Sequence, residues 1–396
     1  MVAARIQRFE RLAVSAVLWA LVAVGSSQAI TMRVPQDYAK ITDALLWAAN
    51  DDVIVVSPGI YTENVSLLGK NVVLRSTNPT SPGVVAATII DGNKADCVVR
   101  FAGTETSGCV LSGFTIRNGA YYNGGGIYGS LSWARIERNV ISGNSGNAGG
   151  GLYQCNGTIQ YNVITGNSAS YGGGLCTCNG TIQNNAITSN SVNGWGGGLD
   201  LCNGTIQNNV IAGNSADSWG GGLSQCNGTI QNNVITSNSA GLFSVGIGGG
   251  LCQCGGLIRN NTITSNSAVA QGGGLSGCTG VIVNSIIWGN TALAYPQISP
   301  DSIPSYSCIQ GYTVGHEQGN IGLDPRFAGP DDFHLRRGSP CIDAGTNQNC
   351  PATDKDGTRR PLDGNGDGRA TCDMGAYEYP TVPRTAVHQE FWMLYR

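Results

Sequence analysis

The residues in this chain that could do chemistry are few, and most of them recur. Six cysteines, Cys155, Cys178, Cys202, Cys226, Cys254 and Cys278, share one position of a repeat. Soft metals are usually held by Cys-x-x-Cys pairs, whereas only Cys-x-Cys occurs here, at Cys176/Cys178 and Cys252/Cys254. Stacked in register on parallel strands, the six would lie about 4.8 Å apart with parallel side chains, beyond the Cβ separation of ~3.5–4.5 Å that a disulfide needs. A packed column of free thiols is expected. Of the 14 cysteines, Cys350 and Cys372, which bracket an acidic loop, are the best disulfide candidates.

Hydrolysis or elimination on a polysaccharide needs clustered ionisable groups, such as two carboxyls about 5 Å apart in a retaining glycosidase. Between Gly124 and Asn290 the charged residues are Arg135, Glu137, Arg138, Asp200, Asp217 and Arg259, with no His or Lys. Asp200 and Asp217 occupy different repeat positions, so spacing does not bring them together. The core of the chain therefore reads as a surface for binding, adhesion or scaffolding, with a polysaccharide lyase or glycoside hydrolase as the alternative.

Two further sets carry binding chemistry. Asp363-Gly364-Asn365-Gly366-Asp367-Gly368 places oxygen ligands Asp363, Asn365 and Asp367 at positions 1, 3 and 5 with Gly at 6, as a hard cation such as calcium requires. Met374 stands where an EF-hand carries its closing Glu, so Asp373 or the pair Asp354 and Asp356 would have to complete the shell. A calcium loop and a solvated acidic turn both fit. Tyr171, Trp195 and Trp219 each precede a glycine triplet on successive repeats, and the insertion Gly241 to Ile247 adds Phe243. In register, these rings would line one edge, where sugar rings could stack or the rings could simply cover a corner.

The element that must position all of these is a repeat. Gly-Gly-Gly triplets begin at Gly149, Gly172, Gly196, Gly220, Gly248 and Gly272, in steps of 23, 24, 24, 28 and 24 residues, after a weaker copy at Gly124. Three aliphatic positions recur in each copy, exemplified by Leu199, Ile206 and Ile211, and two asparagine positions by Asn209 and Asn214. A fixed period of this size with apolar runs too short for helices indicates a β-solenoid with three strands per rung of about 24 residues. Stacking turns the aliphatic positions into a continuous interior and lets the amides bond up and down a ladder at the bends. Gly supplies 59 of the 396 residues and charged types only 12%. A formal net charge of −3 with no basic patch argues against nucleic acid as a partner.

The glycine-rich rungs and asparagine columns resemble the right-handed parallel β-helix superfamily of pectate lyases, especially its bacterial surface members, over nearly the whole chain. Val34-Pro35 through Pro58-Gly59-Ile60-Tyr61-Thr62-Glu63 is similar to the entry of such proteins, and Leu111-Ser112-Gly113-Phe114-Thr115-Ile116 to their rungs. From Tyr306-Ser307-Cys308-Ile309 through Gly338-Ser339-Pro340-Cys341-Ile342-Asp343-Ala344-Gly345 to Asp373-Met374-Gly375-Ala376-Tyr377-Glu378, the order resembles the choice-of-anchor Q region of exported bacterial β-helix proteins. The resemblance implies a secreted or cell-surface protein, with polysaccharide or cell-envelope glycan as the partner class. In a bacterial setting Asn156, Asn179, Asn203 and Asn227, each in Asn-Gly-Thr, read as turns rather than glycan acceptors.

The organisation follows. Arg5, Arg8 and Arg11 ahead of the apolar run Leu12 to Val24 make residues 1–29 a secretory signal peptide, whose removal leaves no membrane-spanning segment. Residues 30–50 form a cap, with a helix over Asp37 to Asn50 started by Asp37. Residues 51–320 form the β-helix, regular over 124–290. Residues 321–379 are the small region that closes it, and 380–396 a tail.

Overall fold

The computed structural model describes residues 28–241, 245–313 and 317–380. Most of the expected signal peptide, the tail after residue 380 and Phe243 lie outside them. Among the described residues no helix is long and apolar enough to cross a membrane.

The chain coils as a right-handed parallel β-helix. Sheet A has twelve strands, from Thr31–Val34 to Pro304–Ser305; sheet B has eleven, from Gly59–Thr62 to Cys308–Ile309; sheet C has nine, from Val65–Ser66 to Leu275–Ser276. Registers are those the repeat dictates. Ile182 faces Ile206 in sheet A, Ile187 faces Ile211 in sheet B and Leu175 faces Leu199 in sheet C. These aliphatic columns are fully buried and form one core with the cysteine column. Beside the three expected walls runs a fourth, shorter sheet D of five strands, Ser168–Tyr171 to Ser267–Ala268, built on a Ser-Ala position that carries too little apolar surface to stand out in sequence.

Each rung turns four times through left-handed backbone. In one rung the turning residues are Gly172 (φ 57°), Thr177 (φ 51°), Asn184 (φ 54°) and Ser189 (φ 53°). The residue after each of the last three, Cys178, Asn185 and Asn190, points into the interior and is fully buried or nearly so. The ladder asparagines thus follow the left-handed residues and do not adopt that backbone themselves. They are buried because their amides replace the backbone partners a bend loses: Asn185 Nδ2 donates to Ile159 O (2.8 Å) and to Asn209 Oδ1 (3.1 Å), while its N–H also donates to Asn209 Oδ1 (2.9 Å). The second and third glycines of the triplet have a different cause. A Cβ on Gly197 would lie 2.4 Å from Gly221 O, so no side chain fits between the stacked rungs there.

The N-terminal helix is shorter than expected. It spans Ile41–Trp47 and buries Ile41, Ala44 and Leu45 against the first rungs. Asp37 is not its cap: it closes a tight turn by accepting from Arg33 N (2.9 Å). The free helix N–H groups of Ile41 and Thr42 instead donate to Glu63, from the next rung (3.0 and 2.9 Å). A second helix, Pro82–Ala87, sits in a loop of the same end.

Residues 321–379 do not simply stopper the end of the coil. They fold back along the corner between sheets A and B, where Asn232 Nδ2 donates to Thr353 O (2.8 Å), Asn260 Nδ2 to Asp373 O (3.0 Å) and Asn284 Nδ2 to Thr346 O (2.8 Å). These asparagines are the turning residues of three successive rungs, so one repeated position serves as a docking rail.

Candidate functional site

Tyr171, Trp195 and Trp219 are in register at one edge of the coil, immediately before the first glycine of their rungs. Trp195 and Trp219 stack with ring centres 5.0 Å apart and planes 9° apart, and Tyr171 tilts against Trp195 at 5.4 Å and 58°. All three are partly exposed. The column continues with Ile247 and Gln271, so the aromatic run covers three rungs.

On the other side of the same glycine corner lies a column that sequence reading did not single out, the residue after each inward aliphatic of sheet C. Arg100, Tyr128, Tyr153, Cys176, Asp200 and Ser224 follow one another in register. Tyr128 and Tyr153 stack at 5.9 Å, Tyr121 meets Tyr128 edge-on at 6.2 Å, and the Arg100 guanidinium lies 4.6 Å from the Tyr121 ring centre. A Cβ on Gly196 would sit 2.6 Å from the Asp200 Cβ, which puts Trp195 and Asp200 at the two flanks of one corner. Asp200 is 2% exposed, its Oδ1 has no hydrogen-bond partner, and burial pushes its pKa up to about 7. The signal for this column was available: the variable position of Gly-Gly-Gly-Leu-x carries Tyr, Cys, Asp and Ser where a purely structural column would be uniform.

Three further ionic groups of the repeat cluster together. Glu137 lies 3.6 Å from Arg135 and 3.4 Å from Arg138. It also starts a second, outer ladder: Gln160 Nε2 donates to Glu137 (2.7 Å), Gln183 to Gln160, Gln207 to Gln183, Gln231 to Gln207, and Arg259 Nε closes the chain on Gln231 (2.7 Å). Every amide dipole points its N–H toward the carboxylate and its oxygen toward the guanidinium, so the ladder is capped by charges of the right sign at both ends. The Asn-Gly-Thr asparagines form a third ladder, exposed, in which Asn179 N donates to Asn156 Oδ1 (3.0 Å) and Asn203 N to Asn179 Oδ1 (2.8 Å).

In the acidic loop, Asp363 accepts from the N–H groups of Gly366 (2.7 Å), Asp367 (3.1 Å) and Gly368 (2.9 Å). Asn365 Oδ1 and Asp367 Oδ1 likewise accept from backbone, so the three oxygens a cation would need face the loop's own N–H groups. Asp343, which accepts from Asn365 N (2.7 Å), is the nearest further carboxylate, and burial raises its pKa. Asp373 and Asp354 are turned inward instead, binding Tyr379 N (2.6 Å) and Glu378 N (2.9 Å). Among the described residues no group of three or more His, Cys, Asp or Glu side chains is gathered as a metal site gathers them. Cys350 and Cys372 are joined by a disulfide, and the remaining twelve cysteines are free and buried.

A cleft of about 510 Å³ runs between the outer face of sheet B and residues 331–377. Its floor repeats from rung to rung, and its far wall is Asp331, Phe333 and Tyr377.

The parallel coil, its three long sheets and its internal asparagine ladders define a pectate-lyase-like β-helix. Among solved structures, that of pectate lyase Pel9A superimposes with a TM-score of 0.52 over 90% of this chain and 98% of that one, at 14% sequence identity. The likeness is one of fold. No family model matches the chain, and a search of curated proteins finds no match.

Proposed function

We propose that this chain is an exported, non-catalytic binding module of the extracellular space or cell surface that holds a glycan along the edge marked by Tyr171, Trp195 and Trp219. The observation that carries the reading is the three-rung aromatic run, partly exposed and bordered by Asn and Ser. Trp and Tyr offer sugar C–H groups a flat apolar surface with a polar tip. Where Trp195 and Trp219 face each other the inner ring faces are spent on stacking, so a glycan would lie along the ring edges and the outer face of the stack. The double variant Trp195→Ala plus Trp219→Ala should stay folded and be retained less on glycan or cell-wall preparations that hold the parent. Unchanged retention would reduce the strip to a cover for the corner.

The second reading, a polysaccharide lyase or glycoside hydrolase, is favoured by one feature, Asp200, a buried carboxyl beside the aromatic edge with the raised pKa of a general acid. Release of reducing ends or unsaturated uronates from a polysaccharide panel, abolished by Asp200→Asn, would establish it. Calcium held by Asp363, Asn365 and Asp367 is a separate proposal, in which the ion would stiffen the loop after residue 362.

A further inference from the structure

The cleft on sheet B is separate from the aromatic strip and is built differently. Its floor is one unit translated along the coil: Val163 with Thr165, Ala186 with Thr188, and Val210 with Ala212 are the outward residues of three successive strands, in register at the strand spacing of about 4.8 Å. Each rung thus offers a carbon face and, on most rungs, a hydroxyl; Val234 and Thr236 repeat the unit once more. A site made by translation fits a ligand made by translation, which points to a polymer lying parallel to the coil axis rather than a compact molecule.

The opposite wall sets the chemistry. Phe333 and Tyr377 present rings, and among the described lining residues Asp331 is the one carboxyl group and none is cationic. The Tyr377 ring is fixed from behind: His334 packs on it with ring centres 3.9 Å apart and is itself held between Asp332 (2.5 Å) and Asp356 (3.0 Å). Carbon faces, hydroxyls and rings suit the C–H and O–H groups of a sugar chain. A carboxylate-bearing chain would meet Asp331 with no cationic side chain in the described lining; Lys355, 5.9 Å from the Tyr377 ring centre, is buried.

We infer that this cleft binds an extended neutral glycan, and that it rejects polyuronates. Titration calorimetry on the full chain with cellohexaose, mannohexaose, xylohexaose and hexagalacturonate tests this. At least one neutral hexasaccharide should bind, more tightly than its trisaccharide, and hexagalacturonate should not. Val210→Trp, which fills the floor, should weaken binding by about tenfold or more, and Phe333→Leu, on the other wall, which removes the ring but keeps an apolar side chain in its packing with Val234 and Phe327, should weaken it as well. Asp331→Lys should admit hexagalacturonate. Trp195→Ala plus Trp219→Ala should remove only what the strip holds and leave the hexasaccharide site that Val210→Trp weakens; all binding lost in the Trp variant and kept in Val210→Trp would assign the glycan to the strip and overturn the cleft. Equal binding of hexagalacturonate by the parent, no binding of any neutral hexasaccharide, or uptake of a fluorescent fatty acid in their place would also overturn it.

Discussion

Asp200 is the residue whose environment is hardest to reconcile with its charge. Its free carboxyl titrates near 3.9, while burial in the folded chain raises it to about 7. The folded state therefore keeps a proton that the unfolded state releases, and stability falls as pH rises from about 4 to about 7, by up to about 4 kcal/mol. Above pH 7 the whole loss stands. Asp200→Asn should flatten that part of the profile and stabilise the protein at pH 8 more than at pH 4.5, read from urea melts at the two values; an equal effect at both would contradict the burial. The cysteine column poses the converse case. Burial holds the thiols of Cys155, Cys202 and Cys226 well above the ordinary range, so they should resist alkylation in the native state. Under denaturing, non-reducing conditions twelve cysteines should label, and a Cys202 to Cys226 disulfide peptide in the mass spectrum would refute the column of free thiols.

The ladders are the elements that turn a repeat into a rigid rod, and the two kinds differ in what their loss would cost. Asn209 accepts from Asn185 N (2.9 Å) and donates to Ile182 O (2.8 Å), both buried. Asn209→Ala leaves that N–H and that carbonyl without partners in a dry interior, at a cost of about 2–4 kcal/mol. Gln207 makes equally short bonds in the outer ladder, but water replaces them when it is removed, and Gln207→Ala should cost under about 1 kcal/mol. Denaturant midpoints of the two variants, made two residues apart on the same rung, check the contrast. Equal losses would mean that the inner ladder is wetter than its burial implies.

At the scale of the molecule, the coil and the region folded against it fail by different routes. Ile206 sits in the fully buried sheet A column, so Ile206→Asp introduces an unpaired carboxylate into the common core and should abolish folding, seen as loss of the β circular-dichroism signal. The region 321–379 instead depends on a buried ion pair, Arg360 Nε to Glu378 Oε2 at 3.2 Å, with neither side chain exposed. Arg360→Ala strands Glu378, and with it Asp373, which burial and Glu378 already push up to about 8. A loss of about 3–5 kcal/mol confined to this region should open it to protease while the coil stays intact. If the acidic loop takes calcium, the ion should slow the same digestion by mass action; identical digests with calcium and with chelator would remove calcium from the account.

What the sequence by itself determined is the period, the three aliphatic columns and the inner asparagine ladders. In-register stacking copies each position 4.8 Å along the axis, so period, strand, core column and inner ladder follow from one another without any long-range information, as Leu199, Ile206 and Asn209 illustrate. What only the tertiary structure decided lies where different parts of the chain meet. Glu63 caps a helix about twenty residues upstream, and Asn232, Asn260 and Asn284 dock a segment more than sixty residues on. The cleft on sheet B belongs to this second group. Its floor is a repeating column of Val and Thr, but a site needs a second wall, and Phe333 and Tyr377 reach it through the return of the chain along the coil, which no periodicity encodes.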